Sequence, residues 1–155
     1  MKFEKRLNRI LEVFLVILMS VLVVDVLWQV ISRYLLSSPS SFTDELAGYL
    51  LIWVGMLGAA YVAGRQEHLA IDIVLQRSRP PVQKRLSMFI HISIFLFALS
   101  VMVVGGIILM YTRFVLGVKS AALQLPLGYV YIVMPISGLI IMYYKVLHIL
   151  ELRKS

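Results

Sequence analysis

Four long apolar stretches govern what this chain can fold into. Val13–Ser32 is interrupted only by Asp25, while Leu46–Gly64, Leu86–Thr112 and Ser120–Tyr144 contain no Asp, Glu, Lys or Arg. Each is close to or above the roughly 20 residues that cross a hydrocarbon core. Inside a bilayer every backbone N–H and C=O must be satisfied within the protein, so apolar runs of this length become helices. The pattern predicts an all-α integral membrane protein with four transmembrane helices, at about 7–36, 42–64, 82–116 and 126–150. These form a single domain over residues 1–155. At 61% hydrophobic and 15% charged residues, nothing is left over for a soluble domain.

The basic residues follow this topology. Twelve of the 15 Lys and Arg fall in the N-terminal stretch, in the connection from Arg65 to Arg85, or at the C-terminal end. Only Arg33, Arg113 and Lys119 flank the other two connections. By the positive-inside rule both termini and the central connection are cytoplasmic. The net charge of +7 is therefore a membrane signal and does not point to nucleic acid. Phospholipids are the expected surroundings. A cleaved signal peptide is the competing reading of the basic start. The apolar run continues past Asp25 to Leu36, longer than a signal core, so an uncleaved first span is expected. There is no cysteine, hence no disulfide or thiol chemistry.

Polar residues inside the spans are the candidate functional groups, because charge within a bilayer is costly and must face protein or water. Asp25, Gln29 and Arg33 recur every four residues in the first span, with Trp28 and Ser32 beside them. This spacing puts them on one face. Arg33 and Glu45 stand equally far from Pro39 in the outer hairpin, as do Tyr34 and Asp44. An Arg33–Glu45 pair between the first two spans is the expected clamp. Ser41-Phe42-Thr43-Asp44 fits a capping box, with Asp44 and Glu45 favoured by the helix dipole. Asp25 has no symmetric cation, since its counterpart is Trp53. It needs Gln29, a hydroxyl, a water or another subunit.

The second span is rich in small residues, including Gly48, Gly55, Gly58, Ala59, Ala60, Ala63 and Gly64, and is expected to pack tightly. Between Arg65 and Arg85, the run His68–Leu75, with Asp72 inside it, suits a short interfacial segment at about 68–78. Gly105-Gly106 allows bending or close contact in the long third span. Pro135 is expected to kink the fourth, with Ser137 helping to satisfy the freed carbonyl. Tyr129, Tyr131, Tyr143 and Tyr144 fit an aromatic belt. Trp53 lies too deep for the belt and is expected to pack.

The ordered set Trp28-Gln29-Val30-Ile31-Ser32-Arg33-Tyr34, Thr43-Asp44-Glu45-Leu46-Ala47, Trp53, Gly58-Ala59-Ala60 and His68-Leu69-Ala70-Ile71-Asp72 resembles the small membrane (Q, DctQ-type) subunit of tripartite ATP-independent periplasmic (TRAP) transporters. Phe42 stands where that family often has Trp. The resemblance implies a bacterial inner-membrane protein that is not an enzyme and binds no cofactor itself. It implies a separate large (M) membrane subunit carrying the substrate and sodium sites, with this chain as its scaffold. A periplasmic substrate-binding protein would deliver an organic acid, of the sialic acid or C4-dicarboxylate class. Asp25, Trp28, Gln29, Arg33, Tyr34, Asp44, Glu45, Trp53, Gly58, His68 and Asp72 would then order the bundle or meet the large subunit.

Two other readings remain open at the level of sequence. A small multidrug-type proton-coupled antiporter also has four spans, and would use Asp25. A haem-binding membrane anchor would use His91 and His148, which fall at similar depth on the third and fourth spans.

Overall fold

The structure is a computed structural model, which describes residues 2–35, 41–65 and 80–154. These form helices α1 (Lys2–Tyr34), α2 (Ser41–Arg65) and α3 (Pro80–Phe97), a π-helical stretch (Ala98–Gly105), then α4 (Gly106–Val115), α5 (Leu127–Tyr131) and α6 (Val133–Lys154). The π-helical stretch joins α3 to α4 in one rod. Four pieces are long and apolar enough to cross a membrane: Glu4–Tyr34, Ser41–Arg65, Val82–Val115 and Leu127–Leu152. The expected interfacial segment at 68–78 and the tip of the outer hairpin lie outside the described residues.

Contacts between the spans define two ends. At the base, which holds both termini, Tyr144 hydrogen-bonds Asn8, Lys145 reaches Ala63, and the rings of His91 and His148 touch. At the hairpin end, Arg33 meets Asp44, and Glu45 meets the connection between α4 and α5.

From Leu11 onward, the more buried positions of α1 are Leu11, Leu15, Leu18, Leu22, Asp25, Gln29 and Ser32, in alternating steps of four and three. This is the seam of two nearly aligned helices, here α1 against α2. A strict step of four would have included Arg33. The seam instead follows a period near 3.5, because 3.6 residues per turn drift off a fixed partner. It closes on Ser32 and leaves Arg33 outside.

The interior is filled by Ala60, Ala63, Ala98, Met102 and Ile141 on one side, and by Leu11, Leu57, Val133 and Tyr144 on the other. Close approach depends on glycine at four places, Gly64, Gly106, Gly128 and Gly138. A Cβ on Gly64 would lie 2.7 Å from Cζ of Tyr144, and one on Gly106 would lie 2.9 Å from Cδ of Pro135. The small residues of α2 therefore divide. Ala60, Ala63 and Gly64 face the core, whereas Gly48 and Gly55 lie on an outer face with Ala59. A Cβ on Gly48, Gly55 or Gly58 would meet nothing within 4 Å, so Gly58 is not a contact point inside the chain.

Three expectations for the fourth span change. The helix breaks at Ile132, three residues before Pro135, instead of bending at the proline. Pro135 has no N–H to give to Tyr131, and its ring crowds the preceding turn. Ser137 does not help, since its buried Oγ has no hydrogen-bond partner among the described residues. Trp53 serves a neighbouring carbonyl, with its indole Nε1 donating to Val130 O at 3.1 Å. Tyr144 is fully buried and so is no belt residue, whereas Tyr129 projects outward.

Overpacking the close approach at Gly64 or Gly106 should cost about 1–3 kcal/mol. Gly64→Val and Gly106→Val are expected to lower the unfolding midpoint of the detergent-solubilised chain. Gly58→Ala should leave it unchanged or slightly raised. Equal losses at Gly58 and Gly64 would contradict the packing described here.

Candidate functional site

The hairpin end is built around Glu45. Its Oε1 accepts the Ala121 N–H at 2.8 Å and its Oε2 accepts the Leu123 N–H at 3.1 Å. The connection it holds is compact. Ser120 N–H donates to Leu125 O at 2.9 Å, and Leu127 N–H donates to Val118 O at 3.0 Å. Gln124 adopts a left-handed φ of 54°, a conformation uncommon for a side-chain-bearing residue. The connection leaves α4 through Gly117, whose φ is 59°. Gly117 N–H bonds Phe114 O, and Val118 N–H bonds Arg113 O. This paired pattern is the Schellman helix stop, and glycine suits its left-handed position.

Glu45 is thus committed to the backbone of a distant loop and does not pair with Arg33. Arg33 Nη2 lies 3.7 Å from Asp44 Oδ1 instead, with the two side chains 53% and 50% exposed. Symmetry about Pro39 placed all four residues at one depth but could not choose between adjacent acids. Glu45 points inward along α2 to the loop, and Asp44 points outward to Arg33. An exposed pair of this kind contributes at most about 1 kcal/mol. Trp28 and Tyr34 also face outward, at 52% and 78% exposure.

Asp25 sits on the α1–α2 seam and is 7% exposed. Its Oδ2 has no hydrogen-bond partner among the described residues. Gln29 and Ser32 extend the same seam, with Ser32 Oγ donating back to Gln29 O at 3.0 Å. The upper seam is therefore polar and the lower seam leucine-rich.

At the base, Lys145 is completely buried and its Nζ lies 3.4 Å from Ala63 O, near the C-terminus of α2. A helix C-terminus favours a cation. The ring centroids of His91 and His148 are 5.4 Å apart, tilted by 52°. Axial haem ligation needs iron and its macrocycle between the two rings. The two rings instead lie directly against each other, an arrangement that does not favour the haem-anchor reading. Among the described residues no group of three or more His, Cys, Asp or Glu is placed to hold a metal ion. His68 and Asp72 lie outside the described residues.

The family profile described as tripartite ATP-independent periplasmic transporters, DctQ component, matches residues 22–155. The chain belongs to this family. It is a transporter permease component, not an enzyme. A TRAP transporter small permease protein of Haemophilus influenzae is 26% identical over 137 residues, covering 87% of this chain and 82% of the relative. The sialic acid TRAP transporter small permease protein SiaQ of Vibrio cholerae is 32% identical over 91 residues, 59% of this chain and 51% of the relative. The sialic acid TRAP transporter permease protein SiaT of Haemophilus influenzae is 33% identical over 67 residues, 43% of this chain but 11% of the relative.

Sequence reasoning missed three groups that the fold uses: the loop held by Glu45, the buried Lys145, and the Trp53–Val130 bond. Gly117 just past an apolar helix was a legible stop signal. The partner of Glu45 lies 76 residues away, beyond any local pattern.

These geometries rank the two hairpin residues. Glu45→Ala leaves two backbone donors without an acceptor. It is expected to lower the thermal midpoint clearly more than Arg33→Ala, which removes only an exposed pair. A larger loss from Arg33→Ala would restore the Arg33–Glu45 clamp.

Proposed function

We propose that this chain is the non-transporting scaffold of a sodium-coupled, binding-protein-dependent importer of an organic acid of the sialic acid class. It would sit in the bacterial inner membrane with both termini and the connection between α2 and α3 in the cytoplasm. A large membrane subunit would carry the substrate and sodium sites, and the periplasmic binding protein would approach the hairpin end. The observation that carries this reading is a contrast. The interior of the bundle is packed shut by Ala60, Ala63, Ala98 and Met102, while broad apolar faces of α1 and α2 point outward.

A pump needs a connected polar path through its own middle; here Ala60, Ala63, Ala98 and Met102 pack between the two buried charges, Asp25 toward the hairpin end and Lys145 at the base. A scaffold needs a lateral face that another helix can approach closely. Gly48, Gly55 and Ala59 supply one on α2, where small residues let backbones come together. The relative SiaT supports a large partner, because the matched stretch is only 11% of that permease chain. Two sialic acid relatives support the substrate class, ahead of C4-dicarboxylates.

The test is gentle extraction of the tagged chain from native membranes. A large polytopic membrane protein is expected to co-purify in equal amount, and Gly55→Leu or Ala59→Leu should reduce it. A homo-oligomer with no such protein would overturn the scaffold reading and favour a small proton-coupled antiporter.

Asp25 gives a second test. Asp25→Leu continues the leucine seam and removes a buried acid that lacks a complete set of partners. It is expected to keep assembly and sodium-driven sialic acid uptake, with an unchanged or higher thermal midpoint. Lost uptake with intact assembly would give Asp25 a role in ion coupling.

A further inference from the structure

A groove of about 580 Å³ opens at the base between the first turns of α1 and the last residue of α2. Its polar rim is formed by Lys5, Asn8, Arg9, Glu12 and Arg65. Its floor is Val13, Val16 and Ile17, one to two turns further into the span. Among the described residues, three cations and one acid give the rim a net charge of about +2. Two of the rim residues are held by the rest of the fold. Asn8 Oδ1 accepts the Tyr144 hydroxyl, which leaves the Asn8 amide hydrogens to donate elsewhere. The Arg65 guanidinium lies 4.9 Å over the Tyr61 ring.

The apolar floor continues along α1 on two sides. One trough, of about 320 Å³, shares Val13 and Ile17 with the groove and adds Ile10 and Phe14. The other, of about 560 Å³, shares Val16 and runs on through Met19 and Val23. A cationic rim above two diverging apolar troughs matches a negatively charged headgroup carrying two acyl chains. The rim lies at the end of two membrane spans, where headgroups lie.

We propose that this groove is a binding site for an anionic phospholipid. Arg9 and Arg65, from different helices, clamp the phosphate, and Lys5 and Asn8 complete its donors. Glu12 offsets only part of the positive charge of the rim. The acyl chains lie along α1, covering part of the apolar surface that no other described helix covers. A lipid held here would tie α1 to the base of α2 as well as fill the groove. The site requires only a membrane-spanning chain, so it stands or falls separately from the scaffold reading.

The experiment is native mass spectrometry of the full chain, alone and in its purified assembly, after equilibration with phosphatidylglycerol or phosphatidylcholine. Preferential retention of phosphatidylglycerol is expected. Arg9→Gln or Arg65→Gln should each weaken retention about fivefold, the equivalent of roughly 1 kcal/mol for one cation near the surface. Lys119→Gln, the same charge change at the opposite end, should have no effect. Val16→Trp should displace the lipid by filling the floor, with helicity unchanged, which keeps the test open if an arginine variant misfolds. Equal retention of both lipids, or equal weakening by Lys119→Gln, would overturn the proposal. So would a groove free of lipid in the assembly, which would give it to a protein partner.

Discussion

Pro135 removes a backbone donor where water cannot replace it, and much of the bundle is arranged around that deficit. The helix stops at Ile132 and restarts at Val133, so the irregular turn is confined to one place. Trp53 reaches across from α2 to give its indole hydrogen to Val130 O. Gly106 lets the third span lie directly against the Pro135 ring. The π-helical stretch Ala98–Gly105 ends at this same crossing. Three spans therefore meet at one backbone irregularity, and packing against protein is one of the settings in which a membrane tolerates one.

Polar groups elsewhere obey the same constraint in different ways. Ser20, Ser100 and Thr112 turn their hydroxyls back to carbonyls four residues earlier, at 2.7 to 2.8 Å, and can therefore stand on exposed faces. Lys145 sits fully buried by reaching the end of α2. Asp25 and Ser137 are the contrast, since each keeps a buried oxygen for which the described residues offer no donor. Both lie where two helices meet, so each marks a spot at which packing has been retained at some cost in stability.

Much of the architecture was legible in the sequence because hydropathy in a bilayer is nearly decisive. The four spans follow from length and absence of charge, and no competing structure hides their backbone from lipid. The seam of α1 was half legible. Its residues were visible, but the choice of Ser32 over Arg33 depends on the angle to a neighbour. The pairing of Arg33 was misread for a related reason. Asp44 and Glu45 are adjacent, so they point about 100° apart, and only the position of the loop near Ala121 decides which turns inward. Glycine content told where approach was allowed, not where it occurs. Gly64 and Gly106 are used inside the chain, while Gly55 and Gly58 leave their space open.

The bond from Glu45 to Ala121 and Leu123 has a mechanical side. Without it, the surface loop before α5 would hang from the two helix ends it connects. With it, the loop is pinned near the start of a 25-residue helix whose far end is locked against Tyr144. A push on the loop is then carried down the axis of α2 like load on a strut. The hairpin end and the base are thereby joined through one rod, so a load at either end is felt at the other.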